Sequence, residues 1–90
     1  MRLLLVVAPD CGFCDHARTV LSRVMADVPC ALEELELTTS DGRALVDTVR
    51  LPFPPALWVD GHFFGYGRIS ERKLRTHLAR LLTATSGSSA

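Results

Sequence analysis

The chain has 90 residues, the size of one small domain, and 48% of them are apolar, enough to bury a core and too many for a disordered chain. Ten acidic side chains cancel ten basic ones, so no bulk charge points to nucleic acid or to a membrane surface. Three cysteines are too few, and the wrong parity, for a secreted disulfide scaffold.

Leu3–Ala8 is a continuous apolar run closed by Pro9. It is shorter than the roughly 7–15 residues of a signal-peptide core, and no small-x-small cleavage pattern follows, so the expectation is a buried strand and a cytoplasmic protein. No run approaches the roughly 18 apolar residues of a membrane span. From Gly12 the period changes: Phe13, Ala17, Val20, Leu21, Val24 and Val28 recur at helical spacing until Pro29. Leu32, Leu35 and Leu37, with Glu34 and Glu36 between them, suggest a second strand. Thr38–Asp41 offers helix caps for a short amphipathic helix over Ala44–Val49.

Prolines 52, 54 and 55 then stop any helix. Ala56–Val59 and His62–Tyr66 read as strands around Asp60-Gly61, the strongest hairpin signal in the chain. Trp58 is expected in the core. Ser70 caps a last helix with Leu74, Leu78, Leu81 and Leu82 on one face. Residues 84–90 are expected to be a flexible tail behind a domain of residues 1–83. The order β-α-β-α-β-β-α predicts an α/β fold: a four-stranded mixed sheet with helices on both faces, parallel where the first crossover joins strands and antiparallel at the hairpin.

Cys11 and Cys14 stand two residues apart where the first loop enters the first helix. Unpaired backbone N–H groups at a helix N-terminus stabilise a thiolate. One helical turn also brings a second sulfur within closing range of the first. Cys11 is therefore the expected nucleophile and Cys14 the resolving thiol. Two other readings stand beside this one: a pair of buried core thiols, and a metal site. The other soft ligands, Cys30, His16, His62 and His77, form no second clustered pair, so no intrachain metal is expected. A metal or iron–sulfur cluster shared between two chains, or a domain that only docks a partner, is the alternative function. Cys30 is expected to be a buried structural thiol and His16 a solvated surface residue.

The CGFC motif after a buried strand, the element order, and a proline just before Ala-Leu-Trp-Val-Asp-Gly resemble glutaredoxins and the wider thioredoxin-like superfamily over residues 3 to 82. The segment FGYGRISERKL is similar to the end of small bacterial glutaredoxin-like proteins. The resemblance implies a dithiol–disulfide oxidoreductase with no bound cofactor. It also implies a cis-proline facing the cysteines, Pro55 by count from Gly61 with Pro54 as the other candidate. Substrate would lie against Gly12, Phe13, Pro54, Tyr66 and Arg68.

Several residues depart from that pattern. Ala8 stands where glutaredoxins carry a lysine for the glutathione carboxylate. Pro54 has no N–H to offer a bound substrate. Tyr66 and Arg68 replace a glycine and an acid that hold the γ-glutamyl end. Leu5 replaces the buried aspartate of thioredoxins, and Phe13 brings no charge between the cysteines. Weakened glutathione binding and a couple that is not strongly oxidising are therefore expected. Phe53, Pro54, Phe63 and Phe64 are expected to form an apolar lip around Cys11 that favours protein or hydrophobic disulfides. The partners expected are a disulfide-containing protein or a low-molecular-weight thiol, with an unidentified reductase or thiol as donor, acting on a monomer.

Overall fold

The computed structural model describes residues 1–88, with side chains described as far as residue 83. Four strands, β1 (Arg2–Val7), β2 (Ala31–Glu36), β3 (Ala56–Val59) and β4 (His62–Tyr66), form one mixed sheet in the order β2-β1-β3-β4. β1 runs parallel to β2 and antiparallel to β3, and β3 runs antiparallel to β4. Three helices join them: α1 (Gly12–Asp27), α2 (Ser40–Val49) and α3 (Glu71–Ser88).

Alternation along the central strands builds two cores. Leu3, Leu5 and Val7 of β1, with Leu57 and Val59 of β3, pack against Ala17, Val20, Leu21 and Val24 of α1 and Leu74 and Leu78 of α3. Val6, Ala56 and Trp58 face the other way, onto Val46 of α2. Because both faces of β1 are covered, its sequence has no polar position between Leu3 and Val7. Each fully buried leucine contributes about 1.5–3 kcal/mol of transfer free energy. β2, an edge strand, exposes Glu33, Glu34 and Glu36 and so discourages pairing with another chain.

Local chemistry sets the element ends. The Val28 N–H still bonds the Val24 carbonyl at 2.8 Å, and Pro29 then stops α1. Thr39 caps α2: its hydroxyl accepts from the Gly42 N–H at 3.0 Å and donates to the Glu36 carbonyl at 2.7 Å. A Cβ on Gly42 would overlap that same Glu36 carbonyl. The hydroxyl of Ser70 accepts from the Lys73 N–H at 3.2 Å at the start of α3. Asp60 and Gly61 both take positive φ, as a two-residue type I′ hairpin needs. Glu71 ties α3 to α1, bonded by Arg23 at 2.9 Å and Arg75 at 3.0 Å, and Arg75 also reaches Asp27 at 2.8 Å.

Two boundaries differ from the sequence reading. α2 begins at Ser40, four residues before the apolar positions, because the Thr39 cap is nucleated by the end of β2 rather than by the helix's own pattern. α3 continues to Ser88 and takes in most of the segment expected as a tail after residue 83. No proline follows Ser70 to end it. Residues 89 and 90 of that segment lie outside the described residues.

Candidate active site

Asp10 and Cys11 occupy the turn between β1 and α1, and Cys14 lies in the first turn of α1. Asp10 has φ 53, a left-handed conformation that aspartate tolerates better than most side chains, and it reverses the chain into the helix. Cys11 is the N-cap residue, with φ −115 and ψ 106, and its Sγ accepts the Cys14 N–H at 3.1 Å. The Cα atoms of Cys11 and Cys14 are 5.2 Å apart and their sulfurs form a disulfide.

The two sulfurs have different surroundings. Cys11 is half-buried, whereas Cys14 is fully buried in the α1–α3 core with Leu5. No polar or charged residue is buried among the described residues, so nothing beneath Cys14 is equipped to hold its charge. In the reduced protein the helix amides favour the thiolate at Cys11, while apolar burial disfavours it at Cys14.

The loop before β3 faces this turn. The Pro54–Pro55 peptide bond is cis. The Pro54 carbonyl oxygen lies 3.9 Å from Cys11 Sγ, and Pro55 is buried. The Pro55 carbonyl accepts from the Gly67 N–H at 2.8 Å. Gly67 itself has φ 69, and a Cβ on it would come within 2.8 Å of the Phe53 ring. That close approach seats Phe53 edge-on against Tyr66, with ring centroids 5.4 Å apart, and 6.2 Å from Phe13. Phe13, Phe53 and Tyr66 thus form an exposed aromatic ridge beside the disulfide.

Phe53 and Pro54 stand where the apolar lip was expected; Phe63 and Phe64 do not. Phe63 lies on Trp58, 5.3 Å between centroids, and Phe64 lies on His77 of α3, also at 5.3 Å. The cause is the hairpin: Val59 pairs with His62, so Phe63 and Phe64 sit toward the turn, while the other end of β4 brings Tyr66 opposite Ala56. Tyr66 supplies the ring the lip lacks. A β-bulge between Leu57 and Trp58 shifts the register within the pair.

The two flanks of the disulfide differ in charge. One concavity, of about 290 Å³, carries Asp10, Asp15 and Glu36 and a single cation, Arg18. Arg18 is occupied, with Asp15 at 2.9 Å and Glu34 at 3.0 Å, and the hydrogen bond to Glu34 holds its proton more tightly than usual. The other flank, of about 460 Å³, is lined by Gly12, Phe13, His16 and Arg68. His16, expected on the open surface, is half-buried, and its Nδ1 meets no hydrogen-bond partner among the described residues. Ala8, half-buried, presents no cation to the first flank. Cys30 is half-buried against the α1–α3 core, and burial pushes its thiol up.

A further concavity, about 740 Å³, is at the opposite end of the sheet, beside Arg2, Leu4, Leu45, Trp58 and Asp60, and has no nucleophile in its lining. Among the described residues, no group of three or more His, Cys, Asp or Glu side chains is arranged to hold a metal ion. No helix among them is long and apolar enough to cross a membrane.

No protein-family model matches the chain, and neither does any curated protein sequence. Its structure is similar to that of a mutant thioredoxin from Halobacterium salinarum NRC-1, with a TM-score of 0.58 and 22% identity over 83% of this chain and 68% of that one. The chain therefore has a thioredoxin-like fold: an open four-stranded mixed sheet between three helices, with a cysteine pair at disulfide distance where the first strand meets the first helix.

Proposed function

We propose that the chain is a dithiol–disulfide oxidoreductase of the glutaredoxin-like kind, acting on disulfide-bonded polypeptides in the cytoplasm as a monomer. The observation that carries this is the asymmetry of the pair: Cys11 caps the helix and accepts the Cys14 N–H, while Cys14 is fully buried one turn further on.

In the reduced protein the Cys11 thiolate attacks one sulfur of the substrate disulfide. A bond forms between Cys11 Sγ and that sulfur, and the other substrate sulfur leaves as a thiolate that takes a proton from solvent. The Cys14 sulfur then attacks Cys11 Sγ. Its proton passes to the second departing substrate sulfur, directly or through water. The protein, which began with Cys11 as thiolate, loses two electrons and the Cys14 proton and becomes the Cys11–Cys14 disulfide; with the one proton from solvent, the substrate becomes two thiols. A low-molecular-weight thiol or a dithiol reductase returns the electrons by the reverse steps.

Three features argue against glutathione as the preferred substrate. Ala8 offers no cation, Pro54 has no N–H to pair with a bound backbone, and Arg68 would repel an ammonium group. The lost hydrogen bond alone weakens binding by about 0.5–1.5 kcal/mol. The aromatic ridge instead gives apolar contact area on the side from which Cys11 is reached.

Cys14→Ser removes the resolving sulfur, so the expected result is a stable mixed disulfide between Cys11 and substrate polypeptides in a lysate, absent from the Cys11→Ser protein. Adducts found equally on both variants, or on neither, contradict the assignment. A mild oxidant should also consume two thiols per chain without dimerisation; loss of thiols only through intermolecular bonds would sink the intrachain couple.

A further inference from the structure

Arg68 lies where three concavities meet. The first adjoins the disulfide through Gly12 and Phe13. The second, about 370 Å³, follows α1 past Val20 to Ser70 at the start of α3. The third, about 480 Å³, runs beside Tyr66 and Gly65 to Lys73. Together they make a shallow track that starts beside Gly12 and Phe13, between the two cysteines in sequence, and continues past the β4–α3 connection.

The track is cationic by the pairing of its charges as well as by their number. Among the described residues, neither the Arg68 guanidinium nor the Lys73 ammonium has a hydrogen bond or ion pair, whereas Arg18, Arg23 and Arg75 are all held by carboxylates. Glu71 is the only acid lining any of the three concavities, and Arg23 and Arg75 both occupy it. His16, with its unpartnered Nδ1, opens onto the same track. Across the disulfide the balance reverses, with Asp10, Asp15 and Glu36 against one neutralised arginine. The field is therefore polarised across Cys11.

We propose that this track binds the acidic flank of a polypeptide substrate, with Arg68 as its specificity-determining residue and the Asp10–Asp15 side receiving a neutral or basic flank. The inference rests on the disulfide chemistry proposed above and adds to it the class and orientation of the substrate. Three contiguous concavities joined at one arginine, beside an exposed row of three aromatic rings, span more surface than a small disulfide would cover, which favours an extended peptide. Unpaired rim charges of this kind act mainly on association rate and on orientation.

The test uses two peptides of identical composition and opposite order, Glu-Glu-Cys-Lys-Lys and Lys-Lys-Cys-Glu-Glu, each capped as a disulfide with 2-mercaptoethanol. Equal composition and net charge remove trivial differences between them. Release of peptide thiol by the reduced wild-type protein is expected to be roughly tenfold faster for one order than for the other at about 0.01 M ionic strength. The preference should disappear near 1 M, where screening extends only about 3 Å. Arg68→Glu should abolish or invert the ratio, and Arg68→Lys should keep it. Taking the ratio within each protein cancels any shared change in Cys11 reactivity. Equal rates in the wild-type protein, or a preference that survives Arg68→Glu, overturn the proposal. Iodoacetamide, a neutral reagent, separates the two layers of the argument. A reactive Cys11 with no discrimination between peptides refutes the track alone, whereas an unreactive Cys11 refutes the disulfide chemistry and the track with it.

Discussion

Gly67→Ala is the single change expected to disturb the face around the disulfide most without touching a cysteine. Two costs can be worked from the structure. Gly67 has φ 69, where an L-residue pays about 1–2 kcal/mol. The new Cβ would lie 2.8 Å from Phe53 Cε2, a separation real Cβ atoms do not tolerate. Phe53 is 47% exposed and can swing away, but doing so gives up its edge contact with Tyr66, worth about 0.5–1.5 kcal/mol. The total is about 1.5–3.5 kcal/mol. At roughly 4–8 °C per kcal/mol for a domain of this size, the melting temperature should fall by roughly 6–28 °C. Thermal melts of the four proteins in a Gly67→Ala and Phe53→Ala cycle separate the two costs. In the Phe53→Ala background, Gly67→Ala should cost only its backbone share of about 1–2 kcal/mol. A Gly67→Ala protein that melts with the wild type, or a cost that does not change when Phe53 is removed, would refute the packing argument.

Gly42→Ala should also destabilise, although the same change in an ordinary helix interior gains about 1 kcal/mol. Here the methyl group would overlap the Glu36 carbonyl and lift α2 from the end of β2, so a higher melting temperature would contradict the contact. Glu71 makes a pH-dependent contribution. Hydrogen bonds from Arg23, then Arg75, hold its carboxyl below the ordinary glutamate range, so its stabilisation is complete above that range and is lost as pH falls through the lowered folded value. The gap in melting temperature between wild type and Glu71→Gln should therefore be open at neutral pH and close in acid; a gap that widens in acid would show the sign to be wrong. Asp10→Gly should relieve the left-handed strain before Cys11 and remove one carboxylate from that flank, so the alkylation rate of Cys11 is expected to rise at neutral pH. An unchanged or lower rate would contradict it.

The elements whose signals are local were legible in the sequence. Asp60-Gly61 demands positive φ at both positions, and the strands on either side of it, Ala56–Val59 and His62–Tyr66, have the limits read from the pattern. The Cys11–Cys14 spacing and the proline bracket before β3 are likewise local statements about a turn and a stiff segment. What was hidden depends on contacts between residues far apart in the chain. Phe13, Phe53 and Tyr66 become neighbours only when the β1–α1 turn, the proline loop and the end of β4 converge, and hairpin register decides that Tyr66, rather than Phe63 or Phe64, joins them. Gly67 reads as a loop glycine until Phe53 is seen lying over it. The left-handed backbone of Asp10 is what turns the strand into the helix; the known tolerance of aspartate for that conformation was the one available signal. Arg68 could be singled out from its place after the glycine, but its lack of a partner among the described residues emerges only beside the pairing of Arg18, Arg23 and Arg75 with carboxylates.

The proposed chemistry requires that the helix start make Cys11 anionic while apolar burial keeps Cys14 and Cys30 protonated. Two effects compete at Cys11. The amides of α1, with the Cys14 N–H 3.1 Å from the sulfur, favour charge. Asp10 and Asp15 oppose it, but both are exposed to water and Asp15 is paired with Arg18, so their effect is screened. The deciding measurement is the pH dependence of iodoacetamide alkylation of the fully reduced protein, resolved residue by residue by mass spectrometry. Cys11 is expected to react along a titration curve centred below the roughly 8.5 of a free thiol, with Cys14 and Cys30 far slower at neutral pH. A Cys11 curve centred at or above the free-thiol value, or faster reaction at Cys30, would contradict it.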